Sequence, residues 1–370
     1  MNSKAVLTSK LLTITLLAGM AIPMHLVSLH AETRPGYSIS IDSVSGKQID
    51  EKSFVMINGI EQWVTIKGDR SKPVILFLHG GPGSPLSPYA DAVYKGWEKD
   101  FVLVQWDQRG AGRTFGLTAP AELDPKYLKA NPLTVEQMTK DGIALTEYLL
   151  KHLGKEKVFL FGTSWGSVLA ARMASSQPDF FHAYVGHSQV VKPGEWTQLY
   201  IKIFTMAEIA GDQESLELLK SIGAPPYDVA NKTGKLLRVV KKYERQNSKP
   251  APAEWFEPAL EYNNETDIKH RADGDDYSFV NFSGDTRFGL KSMVAGMDLS
   301  REAVIFQIPV YFIQGARDIL TPQESTREYF EKIRAPKKEY ILLTETAHGF
   351  NQLVVDTKYR ILMELAAGMK

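Results

Sequence analysis

The sequence predicts an α/β protein with a mostly parallel central sheet, helices on both faces and a helical insertion late in the chain. Three observations carry this prediction. Short apolar runs such as Val74–Leu78 and Phe101–Trp106 alternate with longer helical patterns, the rhythm of a parallel sheet covered on both sides. The run Val158–Phe161 leads directly into Gly162-Thr163-Ser164-Trp165-Gly166 and then a helical stretch, Ser167–Ala174, a strand–turn–helix unit. Between Gln189 and about Ser300 the alternation stops, and it resumes afterwards. A block of that size reads as a cap over the sheet.

Each element has a local reason. Phe54–Ile57, Asn58-Gly59 and Ile60–Lys67 form a hairpin pattern, because Asn-Gly favours a tight primed turn; this is the antiparallel edge. Thr134-Val-Glu-Gln137 is a capping-box signature opening a helix that runs to about Leu153. His182–Gly186, Pro309–Gln314 and Glu339–Leu343 supply the later strands, with helices near 322–333 and 352–367. Within the insertion, Glu195–Ile209, Asp212–Ile222 and a Lys/Arg/Glu-rich stretch near 234–246 read as helices, followed by an acidic patch at Asp273–Asp276. The expected division is a core over 32–188, a helical cap over 189–300 and the rest of the core over 301–370.

Bulk properties exclude several function classes. With 370 residues the chain holds one large domain or two modest ones, either able to bury a substantial core. Lysine plus arginine and aspartate plus glutamate are equal, at 43 each, so the charge shows no footprint for nucleic acid or an anionic membrane. Cysteine is absent, which removes disulfides, thiolate metal sites and a cysteine nucleophile. No dinucleotide or P-loop glycine pattern occurs, and the histidines and acids show no metal spacing, so no metal is expected. Residues 1–31 look like an export signal: Lys4 and Lys10 precede an apolar core, Leu11–Ala21, which Pro23 and His25 interrupt before it reaches membrane-spanning length. Cleavage is expected after Ala31, or alternatively after Ala21. The mature protein is expected outside the cytoplasm, secreted or periplasmic, with no lasting membrane insertion once the signal is cleaved; an uncleaved membrane anchor is the alternative.

The chemistry centres on Ser164. In a Gly-x-Ser-x-Gly turn between strand and helix, the flanking glycines leave room for a sharp bend that exposes the hydroxyl. A serine needs a base, and the base needs an orienting acid. In chain order the acid comes next and the histidine last. His348, just after the final strand, is the late histidine, and Asp318, after the strand ending at Gln314, is the acid; Asp298 is the fallback. His79-Gly80-Gly81-Pro82-Gly83 follows a strand end and lets backbone N–H groups approach an oxyanion. Gly81 is the favoured donor, with Gly80 next and Trp165 as the second N–H. His79 comes too early in the order to be the base and reads as a brace for its loop.

Four stretches together, His79–Gly83, Asp107-Gln-Arg-Gly-Ala-Gly-Arg-Thr114, Gly162–Ser167 and Gly315-Ala-Arg-Asp318, joined by Ala347-His348-Gly349, resemble the proline iminopeptidase family of α/β-hydrolases. The resemblance covers most of 50–190 and 300–370. It implies an α/β-hydrolase fold with a helical cap, a Ser164–Asp318–His348 triad, an oxyanion site flanked by Gly81 and Trp165, and no cofactor. Two departures separate the chain from that pattern. The cap opens Gln189-Val-Val-Lys-Pro-Gly-Glu195-Trp196, without the tryptophan- and glutamate-rich segment in which the family's amine-binding acids lie. The nearest approach is Glu254-Trp255-Phe256-Glu257. The helix at 134–153 carries Asp141 and then Thr146-Glu147 instead of the family's acid-plus-arginine pattern. Glu195 and Glu208, with Glu254 and Glu257 behind them, are the candidate substrate-binding acids.

The expected activity is that of a serine hydrolase acting on a small peptide or ester, in the first place an aminopeptidase. A carboxylesterase or lactonase with the same triad is the alternative, and a non-catalytic binding protein on the same scaffold the reading from another class. Epoxide hydrolases and dehalogenases require an aspartate where this chain has Ser164.

Overall fold

The computed structural model describes residues 47–120 and 123–369; the expected export segment lies outside them. The chain builds a sheet from β1 (Gln48–Ile57), β2 (Ile60–Asp69), β3 (Val74–Leu78), β4 (Val102–Trp106), β5 (Val158–Thr163), β6 (Phe181–His187), β7 (Val310–Gly315) and β8 (Lys338–Leu343). Their order across the sheet is β1-β2-β4-β3-β5-β6-β7-β8. The Asn58-Gly59 turn takes positive φ at both residues and joins β1 to β2 as the antiparallel edge expected of it. β2 meets β4 antiparallel, and all pairs beyond are parallel.

The inner strands β3 to β7 are buried along almost their whole length because both faces are covered. Successive residues of a strand point to opposite faces. Leu76 and Leu78 belong to the same cluster as Leu145 and Leu149 of α1 (Val135–Leu153) and Val168 and Leu169 of α2 (Trp165–Ser176). Their neighbours Ile75 and Phe77 point the other way, into a cluster with Val355, Ile361 and Leu362 of the final helix. Thr134 caps α1 by accepting from the Gln137 N–H at 3.1 Å. The reciprocal half of the capping box is missing, because the Gln137 side chain donates to Asp141 at 2.8 Å. Asp141 also receives Arg109, Asn58 and Gln62. The arginine absent from the helix thus arrives from the loop after β4.

Between β6 and β7 the chain leaves the sheet. α3 (Trp196–Ala210), α4 (Gln213–Ile222) and α5 (Ala230–Gln246) share a core of their own through Leu199, Ile203, Leu219, Leu236 and Val240, to which Ile319 from the loop after β7 is added. α6 (Glu265–Ser283) takes a different place. The acidic stretch Asp273–Asp276 is its middle, and Gly274 lets it lie against the Gly110–Gly112 loop, where a Cβ would come within 3.0 Å of the Gly110 carbonyl. Arg113 fastens the contact. Its guanidinium makes a two-pronged ion pair with Asp267, at 2.8 and 2.9 Å, between the rings of Trp63 and Tyr262. α7 (Gln323–Lys332) and α8 (Gln352–Ala367) close the fold. Among the described residues no helix is long and apolar enough to cross a membrane.

Candidate active site

The turn after β5 has the tightness its glycines predict. Ser164 sits at φ 50°, ψ −120°, a conformation costly for a residue with a side chain. A Cβ on Gly162 would meet the Gly166 carbonyl at 2.6 Å, and one on Gly166 would meet the Leu78 carbonyl at 2.1 Å. Only glycine fits either place. The strained turn lifts the Ser164 hydroxyl to the carboxyl edge of the sheet, at the start of α2.

There it meets groups from two later loops. His348 Nε2 lies 2.9 Å from Ser164 Oγ. His348 Nδ1 lies 3.0 and 3.2 Å from the two carboxylate oxygens of Asp318. Asp318 is buried and also accepts from the Thr321 N–H and hydroxyl, both at 2.6 Å. Burial alone would push its carboxyl up, but the charge and hydrogen bond of His348, with Thr321, hold it below the usual range. Burial likewise opposes charge on His348, yet Asp318, seconded by the charge of Glu244, holds the imidazole above its ordinary 6.5. The arrangement can take a proton from Ser164 and stabilise the imidazolium that forms. Asp298, the fallback acid, caps the short helix Leu299–Glu302 and pairs with Lys192 and Arg301. It makes no hydrogen bond to His348.

The loop after β3 packs against the same serine. A Cβ on Gly80 would stand 3.4 Å from that of Ser164, and Gly81 holds φ 111°. Trp165 is the first residue of α2, whose leading N–H groups have no partner within the helix. His79 is a brace: Nδ1 bonds the Gly80 carbonyl at 2.8 Å, and Nε2 accepts from the Gln108 N–H at 3.2 Å. Gln108 in turn ties the His79 carbonyl to the Trp165 indole. Burial pushes His79 down to about 4, so it is neutral at physiological pH. A cavity of about 1180 Å³ opens over Ser164 and His348, with Gly80, Gly81 and Trp165 in its wall and α3 and α5 above.

Residues 73–351 match the family model described as alpha/beta hydrolase fold. The chain belongs to that family. This hydrolase is 29% identical over 301 residues to a Bacillus subtilis protein named probable aminopeptidase YbaC, covering 80% of this chain and 87% of the other. It is 30% identical over 179 residues to a proline iminopeptidase of Lactobacillus helveticus, covering 47% and 56% respectively. The crystal structure of proline iminopeptidase from Mycobacterium smegmatis superposes with a TM-score of 0.60 at 16% identity, over 86% of this chain and all of the other, a likeness of fold.

In this hydrolase the candidate acids of the insertion separate. Glu195 precedes α3 at the cavity rim, 3.9 Å from Lys192. Glu208 is exposed on α3 and does not line the cavity, so the expectation that it binds substrate has no geometric support. Glu254 and Glu257 are likewise exposed and outside the lining. The acid that does enter the cavity wall lies on the Lys/Arg/Glu-rich helix near 234–246. Glu244 of α5 is buried, and its carboxylate accepts the N–H groups of Ile319 at 2.6 Å, Leu320 at 3.0 Å and His348 at 2.5 Å. Burial and the nearby charge of Asp318 raise its carboxyl above the usual range. A signal was present: Glu244 falls four after Val240 and eight after Leu236, on the inward stripe of the helix. Asp275 of α6 also lines the cavity and accepts from the Ser84 hydroxyl at 2.7 Å.

Proposed function

We propose that this hydrolase is an aminopeptidase that releases N-terminal residues from short peptides through an acyl-enzyme on Ser164. The observation that carries the reading is a hydrogen-bonded chain, Ser164–His348–Asp318, whose Ser164 and His348 line a cavity that also holds the buried acid Glu244 in its wall. Ser164 Oγ bonds to the scissile carbonyl carbon while its proton passes to His348 Nε2. The oxyanion is received by the N–H groups of Gly81 and Trp165, with Gly80 beside them. The C–N bond then breaks as His348 returns the proton to the leaving amine. Water repeats the sequence on the ester and frees Ser164.

An aminopeptidase must also hold an α-ammonium group. A carboxylate has about four acceptor positions, and three of those on Glu244 are filled by N–H groups. The fourth is free for a substrate cation, and Asp275 is the second acid in the wall. The likeness to the Bacillus protein over 80% of the chain supports the same reading.

The test is a screen of aminoacyl arylamides, with the amine free or blocked, against short acyl esters. Arylamide cleavage that disappears on blocking the amine is expected, as is its loss in Ser164→Ala. Preference for esters, with indifference to the amine, would make the protein a carboxylesterase or lactonase. We further infer that the protein is exported, on the basic start and apolar core of residues 1–31. Fractionation of the producing cell, with sequencing of the mature amino terminus, tests it; an intact Met1 in the cytosolic fraction would overturn it.

A further inference from the structure

The charges around the cavity do not cancel. Of the acids in its wall, Glu195 and Glu328 are matched by Lys192 and Lys332. That leaves Glu244 and Asp275 for an ammonium group. Of the cations, Lys192 is within ion-pair range of Glu195 and Asp298, and Lys249 pairs with Glu345. Lys202, Lys241 and Arg245 also line the cavity, and none of them makes an ion pair or hydrogen bond with another described residue.

Their placement is coherent. Lys241 and Arg245 stand one turn apart on α5, on either side of the position of Glu244, and Lys202 faces the same cavity from α3. Like charges one turn apart on a helix repel each other. Among the described residues no acid pairs with either of them, and an external anion would relieve the repulsion. The charge of Lys241 is also felt at His348, which brings this cationic edge within range of the reacting centre.

We propose that the cavity takes short peptides as zwitterions, with Lys202, Lys241 and Arg245 binding a carboxylate on the leaving side of the scissile bond. This rests on the aminopeptidase reading and adds the substrate class. The ammonium end goes to Glu244 and Asp275, and the free C-terminus of a di- or tripeptide goes to the cations. The volume of about 1180 Å³ is ample for so small a ligand.

The experiment compares kcat/KM for a dipeptide and a tripeptide with their C-terminal amides, using the full-length mature protein. Free carboxylates should be preferred about tenfold at low ionic strength. The preference should narrow in 1 M salt, where charges are screened within about 3 Å. Lys202→Gln combined with Lys241→Gln and Arg245→Gln should bring the ratio close to one, and Lys241→Glu with Arg245→Glu should reverse it in favour of amides. Unchanged thermal midpoints establish that these variants are folded. A wild-type ratio near one, with amine-dependent arylamide cleavage intact, overturns this inference alone. A triple glutamine variant that keeps the preference overturns the assignment to these residues. Cleavage of esters and of no aminoacyl substrate overturns both this inference and the activity it rests on.

Discussion

The loops at the carboxyl edge of the sheet and the helices above them solve the same problem by different means. In the core, position is enforced by backbone. Gly162 and Gly166 admit no side chain, Ser164 is held at positive φ, and Gly80 packs against the serine itself. Between the core and the inserted helices, position is enforced by single polar side chains: Glu244 reaching down to the His348 and Asp318 loops, and Arg113 reaching up to Asp267. Backbone constraints leave a mark in local sequence because only glycine satisfies them. Side-chain contacts across long separations leave almost none.

That contrast can be broken experimentally. The largest effect is expected in the core. Asp318→Asn should keep the fold and lower kcat about ten-thousandfold, because the amide presents the wrong partner to His348 Nδ1; stopped assays on an aminoacyl arylamide would read it, and a loss below tenfold would remove Asp318 from the triad. Gly166→Ala comes next. The added methyl would lie 2.1 Å from a backbone carbonyl that cannot move aside. Overpacking of this kind costs about 3 kcal/mol or more, visible as a lower urea midpoint.

Glu244→Gln should act more gently and differently. Its amide would turn a donor toward an N–H that now has an acceptor, displacing the His348 loop and lowering kcat about tenfold to a hundredfold. It also removes a negative charge that helps hold His348 above 6.5. His348 must be neutral to accept a proton, so activity falls as pH drops through its pKa. The acid limb of the wild type is therefore expected above 6.5, and that of the variant at lower pH. A pH–rate profile with an unmoved limb would show that the charge of Glu244 does not act on His348. Glu208→Ala should be the smallest, within twofold of wild type in kcat/KM, since Glu208 is exposed outside the cavity wall.

The same contrast explains what was legible. The alternation of strands and helices and the edge hairpin at Asn58-Gly59 could both be read from periodicity and turn chemistry. Ser164, Asp318 and His348 stand out because each follows a strand end, and the structure gathers them into one hydrogen-bonded chain. Glu208 misled because an acid on a helix next to a cap reads alike whether it faces inward or outward. Glu244 was hidden for the converse reason. It sits among Lys241, Lys242 and Arg245, so its neighbourhood looks solvated, and only its spacing from Leu236 and Val240 tells of burial. Its partners lie 75 to 104 residues away, a relation no local pattern expresses.

The three N–H groups received by Glu244 have a consequence for how the protein could be taken apart. The loops that carry His348 and Asp318, the proposed base and acid, meet where the Arg317 N–H donates to the Thr346 carbonyl at 3.0 Å, and one carboxylate from the inserted helices ties both of them. The insertion is therefore not an interchangeable module. A chimaera carrying a foreign lid would bind different substrates only if the lid also brought an acid to this point; without one, transplantation would trade away the alignment of the machinery beneath.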